Sequence, residues 1–267
     1  MDKIAIISDI HGNKTALDAV FDDISKRKIN KIICLGDLAT KGANPDYTID
    51  LIKEKCDVVL MGNCDEPIFS KRAIEMKYWV REKIGDERAK YLSTLPVSYE
   101  TYVSGYLIRF FHSSPFGLDY VCNPAFSNKD TNYLNKEIAD PLDLFKNTEF
   151  IGKTDKDPIP DIIGYGHLHT QNIYRIGNKT IFNPGSVGLP SEMRNLGDLN
   201  DKTNKFSTVA SYTIIEGDYN SKELGAISFN SVRIPYDISK EIEYLNNTDM
   251  PGKEKNIFIL KTASINC

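Results

Sequence analysis

Lys3-Ile4-Ala5-Ile6-Ile7-Ser8-Asp9-Ile10-His11-Gly12-Asn13 stands at the start of the chain and sets the reading of the rest. An apolar, β-branched run ends on a serine and gives way to Asp-x-His-Gly. After it, Ala16, Leu17, Val20, Phe21 and Ile24 recur at helical spacing. A strand over residues 3–8 therefore runs into a polar turn, and Asn13 is expected to cap the helix beyond it. The pattern repeats downstream. Ile32-Ile33-Cys34-Leu35 leads into Gly36-Asp37, a helix is expected over Pro45–Lys55, and the run 58–61 leads into Gly62-Asn63-Cys64-Asp65. Strand-helix-strand alternation of this kind predicts an α/β fold with a mainly parallel sheet.

Beyond this unit, residues 67–95 are dense in charge and lack β alternation, which predicts two or three helices ended by Pro96. Residues 97–102 and 106–111, joined through Val103-Ser104-Gly105, predict an antiparallel hairpin. Periodicity weakens over 116–160, where only 140–146 suggests a helix; long irregular stretches of this kind often form lids. Strands are expected again at 162–165, 171–176, 180–182, 209–215 and 227–234, with a glycine-rich loop at Asn183-Pro184-Gly185-Ser186-Val187-Gly188 and a helix at 238–245. The expected organisation is one domain over 1–246, with lid insertions near 66–100 and 116–160, and a tail over 247–267 without a decisive pattern.

A chain of 267 residues with 41% hydrophobic content can bury a sizeable core. Its 33 basic and 37 acidic residues give a net charge of −4, which argues against extended nucleic acid as a partner but not against a nucleotide. The apolar run at the start is too short for a signal-peptide core, and no uncharged stretch reaches the roughly 20 residues a membrane helix takes. A cytoplasmic protein with no membrane partner is expected. The five cysteines have no framework-like spacing and no C-x-x-C pair, so reduced thiols are expected, with Cys34 a small core residue.

All four histidines fall in short polar motifs: Asp9-Ile10-His11-Gly12, Phe111-His112-Ser113-Ser114-Pro115 and Gly166-His167-Leu168-His169. A lone D-x-H or H-x-H means little, but independent core or surface histidines have no reason to fall only in such motifs. Two divalent metals acting on one phosphate must sit about 3.5–4 Å apart, which demands a carboxylate able to bridge them. In an open α/β sheet such a site lies at the carboxyl ends of the strands. Asp9, His11, Asp37, Asn63, His112, His167 and His169 each follow an apolar run in the manner this requires.

The ordered blocks D-x-H, G-D, G-N-x-D, H and G-H-x-H resemble those of the calcineurin-like metallophosphoesterase superfamily over about residues 3–190. Gly62-Asn63-Cys64-Asp65, the loop at 183–190 and Val232-Arg233-Ile234-Pro235-Tyr236-Asp237 are most similar to small bacterial phosphodiesterase-type members, extending the likeness to about residue 246. The resemblance implies a four-layer α/β/β/α sandwich. It implies two divalent ions (manganese, iron, zinc, nickel or cobalt), one on Asp9, His11 and His169, the other on Asn63, His112 and His167, with Asp37 bridging. It further implies a phosphohydrolase cleaving a small phosphodiester or phosphomonoester, nucleotides included, by attack of a hydroxide lying between the metals.

Cys64 departs from the commoner pattern, in which a histidine at that place assists the leaving group. A thiol can donate a proton but brings no positive charge. Asp65 is open to two readings, an N-cap before Glu66-Pro67 or a catalytic role alongside Cys64. Asn63 also stands where substrate phosphate would lie. Arg194, within a polar interruption at 191–206, is expected to hold phosphate through its guanidinium fork. Asn183 and Ser186 fit the shaping of a turn. The same metal core also serves protein phosphatases and dinucleoside-polyphosphate hydrolases, and a related fold without a full ligand set serves as a non-catalytic scaffold.

Overall fold

In a computed structural model, which describes residues 1–69, 75–120, 122, 138, 140–192 and 205–264, the opening run forms β1 (Asp2–Ile7). It is followed by α1 (Lys14–Lys26), β2 (Lys31–Cys34), α2 (Pro45–Lys55) and β3 (Val58–Val59), with β1, β2 and β3 side by side and parallel. Asn13 caps α1, its Oδ1 accepting the N–H of Ala16 at 3.0 Å. The charged stretch that follows forms α3 (Glu66–Phe69) and α4 (Glu75–Ser93). Gly85 interrupts α4 with φ 71 and ψ 179, so the expected run of several helices is present.

β4 (Ser98–Val103) and β5 (Tyr106–Phe111) are the expected hairpin, turned at Ser104 and Gly105, both with positive φ. The second sheet is completed by β6 (Ile162–Tyr165), β7 (Asn172–Ile176) and β8 (Lys179–Asn183), in the order β4-β5-β6-β8-β7. β5, β6 and β8 are parallel, and the outer strands are antiparallel. A short ribbon pairs β9 (Ser191–Glu192) with β10 (Lys205–Phe206). β11 (Val209–Gly217) and β12 (Ser228–Pro235) then join the first sheet as antiparallel neighbours, giving β12-β11-β1-β2-β3.

The alternation of β1 decides the layering. Ile4 and Ile6 face the second sheet, where with Ile33, Leu35 and Leu60 they meet Ile108, Phe110, Ile162 and Phe182. Ala5 and Ile7 face the other way and pack with Leu17, Val20, Ile49, Trp79 and Leu92 of the helices. Each fully buried aliphatic or aromatic side chain contributes roughly 1.5–3 kcal/mol, so this double core holds the loops at the strand ends in fixed relation. The outer face of the second sheet packs Phe111, Ile163, Tyr165 and Ile181 on Leu144 and Phe145. The four layers are thus α/β/β/α, and among the described residues the fourth holds the 3-10 helices Pro141–Phe145 and Glu149–Ile151. The helix expected at 140–146 is one of these: Asp140 caps it, but the chain is already extended at Lys146.

α5 (Ile238–Asn246) and α6 (Lys253–Thr262) close the chain against the helical face, burying Leu245, Met250 and Leu260 in its core. Among the described residues, no helix is long and apolar enough to cross a membrane.

Candidate metal centre

Every motif residue singled out in the described part of the chain lies just beyond the carboxyl end of a strand. Asp9 and His11 follow β1, Asp37 follows β2, Asn63 follows β3, His112 follows β5, and His167 and His169 follow β6. Because the inner strands of both sheets are parallel, these turns converge on one edge of the sandwich. Asp9, His11, Asp37, His167 and His169 all have φ between 50° and 67°, a region rarely adopted by residues with a Cβ. Strain concentrated in this way marks a site that the surrounding structure over-determines.

One group is formed by Asp9, His11 and His169, whose candidate ligand atoms lie within 4.8 Å of one another. His11 Nε2 is 3.0 Å from His169 Nε2, and Asp9 Oδ1 is 3.2 Å from His169 Nε2 and 3.8 Å from His11 Nε2. The Nδ1–H of His169 donates to the carbonyl of Leu189 at 2.7 Å, so its Nε2 presents a lone pair. Asp9 Oδ1 is buried and accepts no hydrogen bond. Lone pairs converging on an unsatisfied buried carboxylate oxygen are the donor set a divalent cation requires, and the residues fit one.

A second group gathers on the other side of Asp37. Asn63 Oδ1 is 3.0 Å from His112 Nε2 and 3.0 Å from His167 Nδ1, and His112 Nε2 is 3.4 Å from Asp37 Oδ1. The Nδ1–H of His112 donates to the Leu35 carbonyl at 2.9 Å, which fixes the ring. Asp37 reaches both groups, because its Oδ2 is 3.7 Å from His11 Nε2. Burial, with the charges of Lys41 and His169 added, holds His11 well below the ordinary imidazole range. Burial, with the charge of His112 added, lowers His167 to about 4. Both rings are therefore neutral near pH 7, the state in which imidazole binds a metal. Burial works against a charge on His112, yet Asp37, Asp9 and Asp65 raise it above that range.

The support beneath the site explains several other residues. Ser8 Oγ donates to Asp9 Oδ2 at 2.7 Å, and the His167 N–H donates to the same oxygen at 3.0 Å. Ser186 Oγ donates to the Asp9 carbonyl at 2.7 Å, and Asn183 Nδ2 donates to the Gly166 carbonyl at 2.6 Å. Both therefore shape the loop that closes the site. Gly62 and Gly166 are required by close approach: a Cβ on either would lie 2.1 Å from Asp37 Oδ1 or Ser8 Oγ respectively.

Asp65 is fully buried behind Asp37. Its Oδ2 accepts the N–H groups of Asp37 (2.8 Å) and Gly62 (3.0 Å), and its Oδ1 that of Leu38 (2.9 Å). The side chain thus clasps the Asp37 turn and does not cap the helix after it. Burial and the neighbouring Asp37 charge push its carboxyl up to about 7, against the pull of these N–H groups. Cys64 donates its N–H to Asp37 Oδ1 at 2.8 Å, and its Sγ lies within 4.8 Å of ligand atoms of His11 and Asp37. Burial raises its thiol well above the ordinary range, so it stays protonated. Arg194 lies outside the described residues. Sequence reasoning missed Lys41, whose Nζ donates to His11 Nε2 at 3.5 Å; its place in the Asp37 turn, just before Gly42, was the available signal.

The model of the calcineurin-like phosphoesterases matches residues 2–190. An uncharacterized protein of Methanocaldococcus jannaschii is 32% identical over 257 residues, covering 93% of this chain and 93% of its own. A metallophosphoesterase from Sphaerobacter thermophilus shares the fold with a TM-score of 0.65 at 20% identity, over 98% of this chain and 99% of that one. A hypothetical protein from Pyrococcus horikoshii does so with a TM-score of 0.70 at 18% identity, over 100% and 99%. With its motifs gathered at one sheet edge and the family model matched from the first strand through the closing loop, the chain belongs to the calcineurin-like phosphoesterases and is a metal-dependent enzyme of that family.

Proposed function

We propose that the chain is a phosphohydrolase working with two divalent ions and cleaving a small phosphodiester or phosphomonoester, nucleotides included. The observation that carries this reading is Asp37, one buried carboxylate facing His11 with one oxygen and His112 with the other. Asp9, His11 and His169 would hold one ion and Asn63, His112 and His167 the second, with Asp37 shared. Bound there, the ions would supply Lewis acidity to polarise the phosphate and activate water. Nitrogen and oxygen donors together suit manganese, iron, zinc, nickel or cobalt.

The protein's own groups set the geometry. Asp65 holds the Asp37 main chain and the Cys64 N–H holds its Oδ1, so the carboxylate is kept between the two groups. Leu35 and Leu189 fix the His112 and His169 rings through their far nitrogens. Asn63, whose Oδ1 lies 3.0 Å from both His112 Nε2 and His167 Nδ1, would also meet the phosphate. Cys64, held protonated by burial, would become a thiolate on giving its proton to the leaving oxygen and would regain it from water. Arg194 would add a phosphate contact.

The test is a panel of a simple phosphodiester, a simple phosphomonoester, a phosphopeptide and a dinucleoside polyphosphate, each assayed with the five metals. Metal-dependent hydrolysis of the small esters, exceeding that of the phosphopeptide, is expected. Stoichiometric metal binding without hydrolysis of any member would instead make the chain a non-catalytic scaffold.

A further inference from the structure

Three rings turn Nε2 toward the centre, those of His11, His112 and His169, while His167 turns Nδ1. In two of the three the far nitrogen is anchored: His112 Nδ1–H donates to the Leu35 carbonyl at 2.9 Å and His169 Nδ1–H to the Leu189 carbonyl at 2.7 Å. His11 is the exception. Its Nδ1 is buried and makes no hydrogen bond, and Lys41 Nζ meets the ring at Nε2, the other nitrogen. Buried N–H groups are costly to leave unpaired and are served either by protein or by enclosed water.

A carboxylate oxygen in the same condition belongs to α5. Glu241 is 1% exposed. Its Oε2 accepts from the Thr15 hydroxyl at 2.7 Å and from the Thr15 N–H at 3.2 Å, which ties α5 to the first turn of α1. Its Oε1 is buried and without a partner. Glu241 and His11 line one cavity, in which ≈10 Å³ is open to the centre of a water molecule. A single water takes roughly 10–15 Å³ by that measure. Leu245 and Leu260 are among the walls, and Asn13, which also lines the cavity, has its amide spent on the Ala16 N–H and the Gly188 carbonyl.

We propose that Glu241 is a positioning residue for the metal ligand His11, acting through one enclosed water that accepts the His11 Nδ1–H and donates to Glu241 Oε1. This rests on the reading above that His11 holds an ion. A ring that binds an ion through Nε2 carries its proton on Nδ1. That N–H then needs the acceptor which main-chain carbonyls give to His112 and His169, and the water backed by a carboxylate supplies it, fixing the ring and strengthening its lone pair. The helices that close the chain thereby act on the metal centre as well as on the core.

The experiment uses the full chain, 15N-labelled at histidine and loaded with zinc, which is diamagnetic. Wild type is compared with Glu241→Leu and Glu241→Gln by the NMR signal of the His11 Nδ1–H, by zinc affinity from calorimetry and by the urea midpoint. In wild type this proton should exchange slowly and show a cross-peak to a long-lived water. Glu241→Leu should lose that protection at His11 alone, with the His112 and His169 Nδ1–H signals in place, and should weaken zinc binding about 10-fold. Glu241→Gln, which keeps an acceptor oxygen, should stay within a few-fold of wild type. A Glu241→Leu variant that loses stability yet keeps zinc affinity and the His11 signal sinks the inference, leaving Glu241 a joint between α1 and α5 and the phosphohydrolase reading untouched. Should that variant not fold, wild type still decides: rapid exchange of the His11 Nδ1–H, or no long-lived water beside it, sinks the inference alone. A wild type that takes up none of the five metals sinks the reading and the inference together.

Discussion

Asp65 holds Asp37 through the main chain and leaves its carboxylate alone: Asp65 Oδ2 accepts the Asp37 N–H at 2.8 Å, while Asp37 Oδ1 accepts the Cys64 N–H at 2.8 Å. The turns after β2 and β3 are therefore clasped to each other in both directions. The outcome is one acidic side chain free to serve ions and another consumed in placing it.

Replacing Asp65 by alanine would leave three backbone N–H groups buried without a partner. Breaking charge-assisted bonds of this kind costs about 3 kcal/mol or more. Urea unfolding of the metal-free protein should show that loss, and Asp65→Asn, which keeps one acceptor oxygen, should lose less. Midpoints within experimental error of wild type would show that the clasp carries no stability.

The acid side of the stability profile should report His167. Burial first, and the His112 charge second, lower its pKa from 6.5 to about 4. Between those values the unfolded chain takes up a proton that the folded protein refuses, so stability is fully present above about 6.5 and falls as pH drops toward 4. The loss amounts to at most about 3 kcal/mol. Metal-free His167→Gln should have a flatter slope across this window than wild type; superimposable slopes would contradict the assignment.

Gly62→Ala tests close packing at the shared carboxylate, since the added methyl would lie 2.1 Å from Asp37 Oδ1 and 2.3 Å from Asp37 N. Overpacking of this size costs roughly 1–3 kcal/mol, and displacing Asp37 should weaken metal binding. Calorimetric titration with manganese measures it, and wild-type affinity in the variant would show that the turn has room to move.

For Cys64, leaving-group dependence is the informative readout. If the thiol delivers the proton, Cys64→Ala should lower kcat by about 100-fold for alkyl esters and only a few-fold for nitrophenyl esters, whose leaving oxygens need no acid. A uniform effect across leaving groups would remove Cys64 from proton transfer.

Much of the site was legible because each ligand follows an apolar run, and parallel strands bring such positions to one edge. His112 and Asp37, 75 residues apart in sequence, meet for that reason alone. The role of Asp65 was not legible. A carboxylate before Glu66-Pro67 looks like a helix cap, and only the parallel pairing of β2 with β3 brings the Asp37 and Leu38 N–H groups to it. Lys41 was hidden similarly: its direction depends on α6, more than 200 residues later, where the sequence pattern was indecisive. The 3-10 helix at 141–145 is a short segment, capped at Asp140 and ended by extended chain at Lys146, where periodicity has too few residues to work on.

On the proposed reading Asp37 would serve two ions at once, and Asp37→Asn tests this most directly. Manganese stoichiometry and turnover of a small ester should be measured on the same metal-replete preparation. Wild type should hold two ions per chain and the variant at most one tightly, with turnover reduced by about 100-fold or more. Two ions and full activity in Asp37→Asn would contradict it.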